Sequence, residues 1–183
     1  MALSFVLKPQ AEGTWRGWTS IAGVSLAHQA LDDSDDSTHD GDDSYVLLPR
    51  LIEAQMQGRM TFPLFLQCEG VRPTTITLRV AAKRDGGAAP NIEIGFFKGG
   101  AIVVHASPLV TNAVSYSVGT RTFSTNPFTG AAWTEADLAG LEGCVQSTVA
   151  AGSNRVTLFN GSLDGLAETS FVHTPEPAGL ALQ

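Results

Sequence analysis

The sequence has little cysteine, little charge and no long apolar run, and each shortage excludes a class of protein. Two cysteines, Cys68 and Cys144, are too few for a disulfide scaffold. No metal-type spacing joins them to each other or to His28, His39, His105 or His173, so they read as buried, reduced thiols. Charged residues make up 16% of the chain, 11 basic against 18 acidic, and the net charge of −7 comes without the clustered cations of a nucleic-acid surface. No segment approaches the roughly 20 apolar residues that span a bilayer. Residues 1–7 lack the basic start and long apolar stretch of a secretory signal. The expectation is a soluble protein made in a cytoplasm, with no nucleic-acid or membrane partner.

Motifs of catalysis are also missing. There is no G-x-S-x-G elbow, H-E-x-x-H, P-loop or dinucleotide fingerprint. Glu53, Glu69, Glu93 and Glu142 offer carboxylates for a glycosidase pair, but nothing in their placement selects two of them. No catalytic residue, no cofactor and no enzymatic activity are expected.

The charge that is present is concentrated. Asp32, Asp33, Asp35, Asp36, Asp40, Asp42 and Asp43 supply seven acids within twelve residues, and without them acids and bases balance at 11 each. An EF-hand register with Gly41 at its sixth position puts Asp36, Thr38 and Asp40 at ligand positions, but Leu47 stands where a bidentate Glu is required. A looser Ca²⁺ loop using Asp36, Asp40 and Asp42 is the weak metal candidate; the alternative is a solvated, self-repelling loop.

Period-two patterning dominates the rest. Leu3, Phe5 and Leu7 alternate before Pro9, as in a first strand or an arm that adds to a neighbouring sheet. Residues 21–31 suggest a strand, as do residues 45–48 and residues 60–67, the latter interrupted by Pro63. Residues 74–84 are the clearest strand, with Ile76, Leu78, Val80 and Ala82 on one face and Thr75, Thr77, Arg79 and Lys83 on the other. Residues 91–97 and 101–106 form a hairpin through Lys98-Gly99-Gly100, residues 114–123 alternate again, and residues 144–150 and 155–159 close the set. Asn160-Gly161 reads as a turn.

One helix is signalled, in residues 123–143. Asn126-Pro127 and Thr129-Gly130 are turn pairs; Thr134 and Asp137 have capping-box spacing, and Trp133 and Leu138 have that of a hydrophobic staple. About two turns, ending near Leu141, are expected. The expected fold is all-β: an antiparallel, jelly-roll-like β-sandwich of about eight to ten strands with one short helix in a late connection. Residues 1–14 read as an arm or first strand, 15–160 as the sandwich, and 161–183, with Pro175 and Pro177, as a tail or arm.

Gly17-Trp18-Thr19, Asp43-Ser44-Tyr45-Val46, Val80-Ala81-Ala82-Lys83 and, above all, Asn126-Pro127-Phe128-Thr129-Gly130 followed by Trp133-Thr134 and Ala136-Asp137-Leu138 resemble a β-sandwich structural domain of tailed-phage virions. The resemblance implies a non-enzymatic capsid decoration protein on the virion surface. Its implied partners are the major capsid protein and neighbouring copies of itself, as a homo-oligomer. Relatives of that kind close with a strand soon after the position of Arg155, whereas here a long tail follows Phe159. Partner-binding candidates are Leu3, Phe5, Leu7, Trp15, Trp18, Phe171 and Val172. Two alternatives stand beside this reading: a tail or adsorption component, and a carbohydrate-binding module that stacks sugar on Trp15 and Trp18.

Overall fold

A computed structural model describes residues 2–31, 42–52, 55, 57–63, 70–87, 91–148 and 152–167. Its strands are β1 (Ala2–Leu7), β2 (Ser20–Ala22), β3 (Tyr45–Pro49), β4 (Arg59–Pro63), β5 (Val71–Gly86), β6 (Ile92–Lys98), β7 (Ala101–Val104), β8 (Ser117–Phe123), β9 (Glu142–Ser147) and β10 (Ser153–Ala167). They form two antiparallel sheets. The larger runs β2-β3-β10-β5-β8, with β1 beside the far half of β10; the smaller runs β4-β9-β6-β7. The fold is the expected jelly-roll-like β-sandwich.

Alternation assigns the faces. Ile76, Leu78, Val80 and Ala82 of β5 meet Met60 and Phe62 of β4, Ile92, Ile94 and Phe96 of β6, and Val145 of β9 in one buried core. The hairpin from β6 to β7 turns at Gly99 and Gly100, whose φ of 57° and 87° lie in the left-handed region open to glycine. Helix α1 (Glu135–Leu138) is a single turn, shorter than expected, because Gly140 at φ 67° ends it and Leu141 is already drawn into the core. The Asp137 carboxylate accepts from the Thr134 amide at 2.9 Å, as the capping spacing requires. Trp133 and Leu138 are both buried, Trp133 donating its indole N–H to the Phe123 carbonyl at 3.0 Å and standing edge-on to Phe96 at 5.6 Å.

Several expectations need correction. Residues 21–31 are not one strand: after β2 the chain forms a 3-10 helix, Ala27–Ala30, with Ala27, Ala30 and Leu31 buried under it. Asn160-Gly161 is not a turn. It lies within β10, where a Cβ on Gly161 would stand 2.6 Å from the Thr77 carbonyl oxygen; the glycine serves a close strand approach. The sandwich therefore continues through Ala167, past the boundary expected at 160. Of the candidate residues in β1, Leu7 is buried in the core and Leu3 and Phe5 are partly buried against it; Val6, on the opposite face, is exposed. Among the described residues, no helix is long and apolar enough to cross a membrane.

Candidate functional site

The outward face of the smaller sheet carries an unusual burden of buried polar groups. Parity along β4 sends Met60 and Phe62 to the core and Arg59 and Thr61 outward; along β9 it sends Val145 inward and Glu142, Cys144 and Gln146 outward. Yet Arg59, Thr61 and Gln146 are buried. Their cover is the segment of residues 10–17, which runs along the β4 edge. Gly13 donates to Thr61 O at 2.9 Å, Thr61 to Trp15 O at 3.1 Å, and Gly17 to Arg59 O at 2.7 Å.

This segment carries Trp15 onto the sheet, where the Arg59 guanidinium lies 5.0 Å from its ring centroid. Arg59 Nε donates to Gln146 Oε1 at 2.7 Å, and Gln146 Nε2 donates to Glu93 Oε2 at 2.7 Å. Each bond fixes the next, so guanidinium, carboxamide and carboxylate form a directed relay. A groove of about 460 Å³ opens over Arg59 and Gln146, walled by Trp15 on one side and by Gly100, Ile102 and Val104 on the other. The volume falls in the range of small-ligand sites, and the mix of one aromatic, an apolar wall and a few convergent polar groups is their usual composition. Cys144 sits in the same face between Thr61 and Gly95; burial pushes its thiol up to about 12, so it stays protonated and unreactive.

Trp15 and Trp18 do not form one platform. Trp15 lines the groove, whereas Trp18 packs against the core. Of the carboxylates considered for catalysis, Glu93 belongs to the relay, Glu142 accepts from Thr14 and Thr61, and Glu53 and Glu69 lie outside the described residues. His28 Nδ1 is 3.2 Å from Glu12 Oε1, and His105 stacks edge-on to Phe123. His39, His173, Cys68, Phe171 and Val172 also lie outside the described residues.

The calcium candidate fares poorly at its one described member. Asp42 accepts from Lys83 Nζ at 2.5 Å and, through its other oxygen, from Arg155 Nη1 and the Tyr116 hydroxyl at 3.0 Å each. The Lys83 hydrogen bond, with those of Arg155 and Tyr116, holds the carboxyl down to about 2. Arg155 also pairs with Asp85 and lies 4.6 Å over the Tyr45 ring. Asp42 is thus committed to cations of β5 and β10; Asp36 and Asp40 lie outside the described residues. Among the described residues, no three His, Cys, Asp or Glu side chains gather as a metal site.

None of Arg59, Thr61 and Gln146 stands out in the sequence, and Glu142 does so only as one of four carboxylates. A signal existed: Arg59-x-Thr61 and Glu142-x-x-x-Gln146 place polar groups at period two in strands whose other face is apolar.

No family model and no curated protein sequence matches the chain. Solved structures of similar outline include the CBM22-1 xylan-binding domain from Paenibacillus barcinonensis, at 12% identity and TM-score 0.46, over 88% of this chain and 92% of that one. Another is a carbohydrate-binding module of a Cellvibrio mixtus lichenase in complex with cellotriose, at 9% identity and TM-score 0.35, over 88% and 96%. A third is an arabinose-bound α-L-arabinofuranosidase, at 11% identity and TM-score 0.46, over 85% of this chain and only 25% of that enzyme. At these identities the likeness is one of sandwich outline.

Proposed function

We propose that the chain is a non-catalytic recognition module that binds a carbohydrate in the groove across its smaller sheet. The observation that carries this reading is the Trp15 ring beside the buried, mutually hydrogen-bonded Arg59 and Gln146 in one groove, with Gln146 held in turn by Glu93. A pyranose offers an apolar C–H face and a rim of hydroxyls that both donate and accept. An indole suits the first, and a guanidinium beside a carboxamide suits the second. The alternative of sugar stacking thus keeps Trp15 and loses Trp18.

Isothermal titration with soluble xylan, β-glucan and mannan fragments tests the reading. Binding of one class, weakened on the order of tenfold or more by Trp15→Ala and unchanged by Trp18→Phe in a folded protein, supports it. No binding to any class overturns it.

The resemblance to tailed-phage virion domains supports a second reading, a capsid decoration protein or a tail component. Its most specific string folds as one unit: Asn126 accepts from Phe128 N at 2.9 Å and Gly130 N at 2.8 Å, and buried Trp133 follows. In this reading the major capsid protein and neighbouring copies are the partners and the virion is the location. Electron microscopy of virions tests it: density for the chain on heads or tails is expected, and its absence from both, or equal heat resistance of capsids lacking it, counts against the role.

A further inference from the structure

We infer that Glu142 is the positioning residue of the groove: its carboxylate latches the Trp15 segment onto the sheet and so sets where the indole stands. This rests on the carbohydrate reading only for its consequence in affinity; the latch itself rests on the contacts around the carboxylate.

Glu142 belongs to β9, yet none of the three hydrogen bonds to its carboxylate comes from β9. Oε2 accepts from the Thr14 amide at 2.9 Å and from the Thr61 hydroxyl, and Oε1 accepts from the Thr14 hydroxyl at 2.8 Å. Ionised, the carboxylate can only accept. The Thr61 proton therefore points at Glu142, which leaves the Thr61 oxygen to accept from the Trp15 amide at 3.0 Å. The order Trp15 N–H, Thr61 O–H, Glu142 carboxylate runs one way, from the groove wall to a strand 128 positions from Thr14 in sequence. Gly13 completes the fit, because a Cβ there would stand 2.5 Å from Glu142 Oε2 and collide with the Thr61 carbonyl. The segment has room to lie flat only with glycine at that position, and it is charge-assisted bonds that hold it there.

Other sites on the molecule compete less well. The Asp42, Lys83 and Arg155 cluster is satisfied internally, and nothing identifies an occupant for the Thr-rich outward face of the larger sheet. Glu12 and His28 tie the same segment at its other end, which gives Glu142 a fixed chain to act on.

The experiment has two arms. In the first, iodide quenching of Trp15 fluorescence is read as the difference between each protein and its Trp15→Phe counterpart. Glu142→Gln, nearly isosteric, and Thr14→Val, which removes one donor without touching the sheet, should each raise the Trp15 quenching constant about twofold. The signals of Trp18 and Trp133 should not change. Unchanged Trp15 quenching in both variants overturns the latch. In the second arm, titration uses xylohexaose and cellohexaose. Glu142→Gln should weaken binding on the order of tenfold where Trp15 is present and add nothing in a Trp15→Ala background. Additive losses overturn the inference, because Glu142 would then act independently of Trp15. If the wild-type chain binds neither sugar nor any other glycan, the carbohydrate reading fails, and the quenching arm alone judges the latch.

Discussion

The outward faces of the two sheets are built from similar strands and behave as different materials. On the larger sheet, Thr77 and Thr122 stand opposite one another with hydroxyls 3.2 Å apart, and Thr75, Thr120 and Ser162 are also at least partly open to water. On the smaller sheet, Arg59, Thr61 and Gln146 are buried and bonded to other side chains. Water can satisfy a polar group in any orientation, whereas a protein partner fixes one. The groove face therefore holds its donors and acceptors in set directions before any ligand arrives, which lowers the entropy cost of recognition. On the larger sheet the cluster of Lys83 and Arg155 with Asp42 and Asp85 is held in that way, while the threonines are left to water. What separates them is a single covering segment, residues 10–17, laid along β4.

Substitutions can break or sharpen this contrast. The largest effect should come from what the faces share. Trp133→Ala empties the core beside Phe96 and should cost about 3–5 kcal/mol in denaturant unfolding, with loss of any ligand binding in proportion to unfolding. Arg59→Met acts on the groove alone. It strips Gln146 Oε1 of its donor and Trp15 of its cation, and should cost about 1–3 kcal/mol in stability, with binding lost in protein that remains folded. Trp15→Ala should lower stability by less than about 1 kcal/mol, because the ring is only partly buried, while weakening sugar binding on the order of tenfold or more. If stability and binding fall together for Trp15, the ring is a structural cover and the contrast between the faces loses its functional meaning.

Acid should touch the larger sheet through one point. Asp42 has its carboxyl lowered from 3.8 to about 2 in the folded state, so its contribution is complete above the ordinary value and disappears as pH falls through about 2. The difference in stability between wild type and Asp42→Asn should accordingly be constant from neutral pH to about 4 and close below it. With half of the Asp42 side chain exposed, the difference will be small. A gap that persists unchanged at pH 2 would show that the ion pairs with Lys83 and Arg155 are not its source. Thr77→Val should be smallest of all, within about 0.5 kcal/mol and without effect on binding, since water replaces its hydroxyl partner.

Local patterns carried much of the fold. The faces of β5, the glycine turn between β6 and β7, and the Thr134–Asp137 cap all depend on residues within a few positions of each other, and all are found in place. Non-local approach was harder to read. Gly161 resembles a turn residue until Thr77 is brought beside it, and the apolar face of β1 resembles a docking strip until β10 draws it into the sandwich. The groove is only half legible in the sequence: Trp15 stands out there beside Trp18, whereas in the fold its partner is Arg59 of β4.

The sequence by itself determined which residues face the core, because alternation along a strand is a local property of the backbone and burial follows it. It also determined where α1 starts, because capping is settled within one turn. The tertiary structure alone decided which of the two solvent faces became a groove. That choice depends on Glu142 meeting Thr14 and on Arg59 meeting Gln146 across 128 and 87 positions of chain. Contacts of that span exist only once β4, β9 and the first segment are side by side.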